Sequence, residues 1–414
     1  MDRRYFINTL GAVGSLALVD GLAQKLYGAE PEPSNAEKSG ILPYLQNPAP
    51  DGMTICFLSL NASDVKVLWS KGTASPSTSV NATSLKIPKT TWTIWKARIK
   101  NLSPGTKYSY KVSYKEGGVD KTSAIYTFTT FNPKSPEVNA VVFNDVHDRI
   151  PVLEALLKQI KPSDYDFSIL LGDMWNDPNP SKNATRVFET MEAYVRLLDA
   201  SNKPMLYMRG NHDTRGGFAG ELSYLFDLPN NDPTAKFADQ DAYYDFRTGP
   251  VWFIAPDAGE DGDKRQEMFQ RYRERQVGWL QKIFAESPDR NAPWRVVAIH
   301  IPLYNSSWWD QPDALKRWEP SLNKANIDVM IAGHDHAWRN LEKGKTYTRK
   351  RKTKEGEQIE DKVTPPYPVL IGGGPNLKGG EVGTVMVIKA DAKRLKIDLV
   401  NTEGKTLSKV DLKK

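Results

Sequence analysis

The chain has 414 residues, 39% of them hydrophobic and 26% charged, and a formal net charge of +6. That length suffices for two domains, no apolar run reaches the roughly 18 to 20 residues of a membrane span, and the mild positive charge suits an anionic partner without arguing for nucleic acid, for which no binding motif occurs. The single cysteine, Cys56, excludes an intrachain disulfide and a thiolate zinc cluster, so any metal must take nitrogen and oxygen ligands.

Residues 1–29 read as a targeting segment. Arg3 and Arg4 precede Tyr5-Phe6-Ile7 and a weakly apolar stretch to about Ala23, which resembles a twin-arginine export signal with cleavage near Ala29. A general secretory signal and an uncleaved anchor are the alternatives. The twin-arginine route carries folded proteins to the periplasm or beyond the cell, which suits a chain loaded with a cofactor before export. Residues 30–40, rich in Pro, Ser and Glu, read as a linker.

Residues 41–132 carry short alternating segments at Met53–Leu58, Val65–Trp69, Trp92–Ile99 and Tyr108–Tyr114, punctuated by turn residues at the spacing of an all-β sandwich. The run LSPGTKYSYKVSY, Leu102 to Tyr114, resembles the tyrosine corner of fibronectin type III sandwiches, with Tyr108 bonding back to the backbone. Over residues 133–414 the pattern becomes that of an α/β domain. Strands are predicted at Val138–Phe143, Phe167–Leu171, Met205–Met208, Val251–Ala255, Val296–Ile299, Val329–Ile331, Val369–Ile371, Val385–Ile388 and Leu395–Val400. Helices are predicted at Val152–Ile160, Ala184–Leu198 and Lys264–Ala285, and the basic segment Lys343–Lys362 reads as a solvated excursion.

In open α/β sheets, chemistry sits just past the carboxyl ends of strands. Five predicted strand ends are followed by Asn144-Asp145-Val146-His147, by Gly172-Asp173, by Arg209-Gly210-Asn211-His212-Asp213, by His300, and, after Ala332, by Gly333-His334-Asp335-His336. All five histidines of the chain fall in these motifs. Attack of water on a phosphate ester needs a deprotonated nucleophile and two negative oxygens brought together, which a pair of divalent metals about 3.5 to 4 Å apart provides. Such a pair requires a bridging carboxylate with His, Asp and Asn ligands around it. In Asp-x-His and His-x-His, residues two apart on an extended loop can point the same way.

The ordered series Asp145-x-His147, Gly172-Asp173, Gly210 to Asp213, His300 and Gly333 to His336 resembles the signature of calcineurin-like metallophosphoesterases. The wording VVAIHIPLYNS around His300 and GHDHAW from Gly333 to Trp338 is similar to the purple acid phosphatase branch, which carries an N-terminal fibronectin-like domain. The resemblance implies a sandwich followed by an α/β domain of two packed mixed sheets flanked by helices. It implies that Asp145, His147 and His336 hold one metal, that Asn211, His300 and His334 hold the other, and that Asp173 bridges them. The cofactor is then two divalent or mixed-valence ions (Fe, Zn, Mn or Co) sharing a water or hydroxide that attacks a small phosphorylated substrate. His212 would face the scissile bond and Asp213 would orient it. Purple acid phosphatases place a metal-bound tyrosine three residues after the bridging Asp and lack the first-motif histidine, whereas this chain has Asn176 and His147 there. No tyrosinate colour is therefore expected, and Asn176 could hydrogen-bond His212 without raising its pKa by charge.

Gly172, Gly210 and Gly333 are read as close-approach positions, Gly372-Gly373-Gly374-Pro375 as a tight turn, and Arg209 as a local ion pair. Tyr304, Trp308 and Trp309 either wall a pocket or pack the core. Phosphomonoester hydrolysis is the leading expectation. The alternatives are a phosphodiesterase or nucleotidase of the same mechanism, and a non-catalytic binding protein with a retained metal site.

Overall fold

The computed structural model describes residues 40–261, 266–305, 311–352, 358–374 and 383–414. The targeting segment, the linker up to residue 39, Trp308, Trp309 and Pro375 lie outside them. Ser39–Lys414 forms one compact unit.

The N-terminal part is a two-sheet sandwich. One sheet runs in the order Gly40–Ala49, Gly52–Ser59, Thr93–Ile99, Thr83–Lys86, and the other in the order Thr78–Asn81, Ala62–Lys71, Lys107–Glu116, Val119–Thr122, with Tyr126–Thr129 also paired to Lys107–Glu116. Every residue of Gly52–Ser59 is buried, because both faces of this strand are covered. Met53, Ile55 and Phe57 point into the sandwich core, while Cys56 and Leu58 pack into the cluster shared with the α/β part. Tyr108 Oη accepts from the Ser103 backbone N–H at 2.9 Å, the bond expected of a tyrosine corner.

The rest of the described chain builds two six-stranded mixed sheets. The first has the order Met205–Met208, Phe167–Leu171, Glu137–Phe143, Thr384–Asp391, Arg394–Asn401, Thr406–Lys413, with its first three strands parallel. The second has the order Tyr244–Thr248, Val251–Ala255, Trp294–Ala298, Val329–Ala332, Val369–Ile371, Arg339–Leu341, with its four central strands parallel. Alternation along the second sheet shows how they meet. Phe253, Val296, Ala298, Val329 and Ile331 share a core with Val141, Phe143 and Ile169 of the first sheet. Trp252, Ile254, Val297, Met330 and Ile371 face the other way, onto Leu280 of the helix Gln266–Glu286 and Trp318 and Leu322 of the helix Pro312–Lys324. The first sheet is covered by Leu153 and Leu156 of Ile150–Leu157 and by Met191 and Tyr194 of Pro180–Leu197.

Several elements depart from the expectation. Gly40–Ala49, Tyr244–Thr248 and Thr406–Lys413 form strands that the pattern did not announce, and Pro312–Lys324 is helical despite Pro320 within it. Within the solvated excursion Lys343–Lys362, Tyr347–Lys352 and Gln358–Val363 pair as an antiparallel ribbon, a regular element that the pattern did not announce.

Candidate metal centre

The carboxyl ends of the parallel strands in both sheets deliver their loops to one place. The turns are tight enough to force the left-handed region on Asp145, His147, Asp148, Asp173, Asp177, His334 and His336, with φ between 49° and 74°. Such backbone is uncommon for residues with a Cβ and gathers where function constrains the chain. Glycine is required beside them, since a Cβ on Gly210 would strike Asp173 N and Oδ1 and one on Gly333 would strike Asp145 Oδ2. These glycines serve close approach, as expected.

Two donor clusters result, Asp145, His147, Asp173 and His336 in one and Asp173, His300 and His334 in the other, with the potential ligand atoms of each within 4.8 Å of one another. Asp173 is common to both. Its Oδ1 accepts the His212 backbone N–H at 2.8 Å, leaving Oδ2 at 3.6 Å from His147 Nε2 and 3.1 Å from His300 Nε2. In the first cluster, His147 Nε2 and His336 Nε2 face each other at 3.0 Å, and His336 Nε2 lies 3.4 Å from Asp145 Oδ1. In the second, Asn211 Oδ1 sits 3.2 Å from His300 Nε2 and 2.8 Å from His334 Nδ1. His300 Nδ1–H donates to the Leu171 carbonyl at 2.8 Å, which leaves Nε2 as the inward atom.

The donor set fits a pair of cations. Asp145 Oδ1 and Asp173 Oδ2 are buried without a hydrogen bond, an arrangement that costs several kcal/mol (roughly) per charge unless a cation or proton compensates. Protons supply that compensation in part. Burial disfavours charge on His300, but Asp173 and Asp145 outweigh it and push the imidazole up to about 10. Burial raises Asp173, yet the charge of His300 and its contact hold the carboxyl below its usual range. Burial and then His300 push His334 down to about 3, which keeps this ring neutral and able to donate a lone pair.

His212 stands beside this set, its ring centroid 4.8 Å from that of His147. Its Nδ1–H donates to Asp177 Oδ1 at 2.7 Å, and Arg215 Nη1 donates to Nε2 at 3.2 Å. Two expectations are corrected here. The partner at His212 Nδ1 is Asp177 and not Asn176: the Asn176 backbone N–H donates to Asp148 Oδ2, and the left-handed residue Asp177 presents its own carboxylate to the ring. Asp213 does not orient His212 either. Its carboxylate accepts the N–H groups of Asp173 and Gly210 at 3.0 Å and of Trp175 at 3.2 Å, stapling two ligand loops together. Burial and the charge of Asp173 push Asp213 up to about 6.

Beyond the second cluster, Arg215 donates from Nε to both Glu260 oxygens at 3.0 Å and also pairs with Asp261. Asp177, Arg215, Glu260 and Asp261 escaped the sequence reading. The last two lie in the loop after the strand Val251–Ala255, but too far past its end for the strand-end rule to single them out. Other readings resolve simply. The N–H groups of Gly372, Gly373 and Gly374 are already given to Ala332 O, Thr384 Oγ1 and His336 O, so the described part of this run backs the site and offers no phosphate cradle. Arg209 is buried against Asp257 at 2.7 Å, over the rings of Tyr272 and Phe237. Tyr304 is core-packed, its Oη donating to Glu319 at 2.6 Å.

Face-to-face mixed sheets with His, Asp and Asn side chains gathered at one edge define the metallophosphoesterase architecture. Residues 138–338 match the family model of calcineurin-like phosphoesterases, and residues 40–130 match that of the purple acid phosphatase N-terminal domain. The chain thus carries a calcineurin-like phosphoesterase domain preceded by a purple acid phosphatase N-terminal domain. It is 27% identical over 294 residues to probable purple acid phosphatase 20 of Arabidopsis thaliana, an alignment covering 67% of this chain and 60% of that protein. It is 24% identical over 297 residues to a purple acid phosphatase of Glycine max, covering 68% and 60%. The chain thus spans about three fifths, 60%, of the length of these two relatives. Purple acid phosphatase PPD1 from yellow lupin (Lupinus luteus) seeds shares the fold, with a TM-score of 0.67 at 15% identity over 91% of this chain and 74% of that one.

Proposed function

We propose that the chain is an exported phosphoesterase that hydrolyses a small phosphomonoester with two divalent cations. The observation that carries this reading is Asp173 Oδ2, which lies between His147 Nε2 at 3.6 Å and His300 Nε2 at 3.1 Å and so belongs to both donor clusters. Asp145, His147 and His336 would hold one cation and Asn211, His300 and His334 the other, with Asp173 available to both. Bound there, two cations lower the pKa of a coordinated water and neutralise phosphoryl oxygens. The protein supplies the rest. Asp213 and the glycines fix the ligand loops before substrate arrives. Asp177 holds Nδ1–H of His212 and so orients Nε2 toward the phosphoryl group; in the imidazolium form Nε2–H donates its proton to the leaving oxygen, and the neighbouring Arg215 Nη1–H, which can pair with Nε2 only in the neutral ring, turns to a phosphoryl oxygen.

Asn176 stands three residues after Asp173, so no tyrosinate reaches the site and the loaded protein is colourless in the visible unless the metal itself absorbs. The export reading rests on Arg3 and Arg4 ahead of the weakly apolar N-terminal stretch. No helix among the described residues is long and apolar enough to cross a membrane. The test is an assay of a generic aryl phosphate monoester beside the matching bis-aryl diester, with Mn, Zn, Fe or Co restored after chelation. Metal-dependent release from the monoester is expected. Faster release from the diester would make the chain a phosphodiesterase, and hydrolysis of neither would leave a binding protein.

A further inference from the structure

The second donor cluster has an outer wall. Asn211 and His334 each present one atom inward, Oδ1 and Nδ1, 2.8 Å apart. Their outward atoms meet a single carboxylate: Asn211 Nδ2 donates to Asp261 Oδ1 at 3.4 Å, and His334 Nε2 faces Asp261 Oδ2 at 3.6 Å. A carboxylate only accepts, so it holds the amide with its NH2 outward and its oxygen inward, and favours the imidazole tautomer with the proton on Nε2 and the lone pair on Nδ1. Asp261 is itself fixed. Its backbone N–H donates to Glu260 Oε1 at 3.0 Å, and its Oδ1 pairs with Arg215, which is anchored on Glu260 and touches His212 Nε2 at 3.2 Å.

We propose that Asp261 is the positioning residue of the second cation half-site, setting the amide orientation of Asn211 and the tautomer of His334 together. This rests on the two-cation reading of the site. Outer partners of metal ligands contribute about 10- to 100-fold to affinity, and here one residue serves two ligands of the same ion.

The test strips the full-length chain with a chelator and titrates it with Co2+, following visible absorption and counting bound ions after gel filtration. Wild type is expected to bind two ions. Asp261→Ala should weaken one of them about 10- to 100-fold and leave the other unchanged. Asp261→Asn, which retains one accepting oxygen, should fall between the two and serves as the readout if the alanine variant does not fold. Combined with His336→Ala, which breaks the first half-site, Asp261→Ala should weaken the remaining ion by the same factor. Combined with His334→Ala its effect should shrink to the part carried through Asn211. Unchanged affinities in both Asp261 variants, or equal weakening of both ions, would overturn the role of Asp261. A wild-type chain that binds fewer than two ions would instead overturn the two-cation reading itself.

Discussion

His212 is where chemistry and electrostatics meet most closely. Burial disfavours its charge and Arg215 opposes it, but the Asp177 bond and the charge of Asp173 win, so its pKa is raised. A raised imidazole pKa means that the proton is held at higher pH than in a free side chain and is lost as pH rises through the new value. Removing the charge of Asp177 reverses part of this. Asp177→Asn is therefore expected to shift the alkaline limb of kcat/KM to lower pH and to cut kcat about tenfold or more with both ions retained. His212→Ala should also keep its metal while losing about 100-fold or more in kcat; an alanine variant stripped of metal would show that the histidine is a ligand. Asp213 acts on stability instead. Three backbone N–H groups converge on its carboxylate, so Asp213→Ala leaves buried donors unsatisfied and should cost about 3 kcal/mol in denaturant unfolding of the metal-free chain. A loss below about 0.5 kcal/mol would show that other groups hold the loops.

At the scale of elements, the clearest sequence signals were the buried ones. Phe167–Leu171, Met205–Met208, Val251–Ala255 and Val369–Ile371 stand where their short apolar runs predicted, because a strand covered on both faces is apolar at nearly every position. Edge strands escaped for the opposite reason. Tyr244–Thr248 is only half-buried at its three central positions, Thr406–Lys413 is buried at Val410 alone, and Gly40–Ala49 contains Pro43 and Pro48, which read as breaks. Pro320 hid the helix Pro312–Lys324 in the same way. The seven metal-ligand candidates were legible because each follows a strand end in a short motif. Asp177 and Asp261 were not, since their contacts depend on how loops turn in space: Asp177 reaches His212 only through a left-handed residue, and Asp261 reaches Asn211 from a different sheet. The tyrosine corner gives a test confined to one element. Tyr108→Phe removes the bond to the Ser103 N–H and should lower stability by about 1 kcal/mol while leaving the proposed ester hydrolysis unchanged. An activity loss with unchanged unfolding would mean that the sandwich takes part in the reaction.

Across the whole molecule, the sandwich is anchored on the α/β part by more than a linker. Tyr44 Oη donates to Leu225 O at 2.6 Å, Tyr110 Oη to Ser201 O at 2.7 Å, and Trp92 stacks on Phe188 at 4.7 Å. Cys56 lies within this contact, fully buried, and burial pushes its thiol well up from the ordinary range. A thiol reagent should leave it unmodified in the native chain and label it fully in denaturant; rapid native labelling would mean that the sandwich and the α/β part separate in solution. The five parallel-strand loops that build the site depend on the same packed sheets, and they converge on Asp173. Electron paramagnetic resonance of the Mn2+-loaded full-length chain tests that convergence most directly. The structure predicts two ions per chain with the exchange-coupled spectrum of a bridged pair, replaced in Asp173→Asn by loss of the coupled signal and of bound metal. Two uncoupled ions in wild type, or a coupled pair that survives Asp173→Asn, would contradict it.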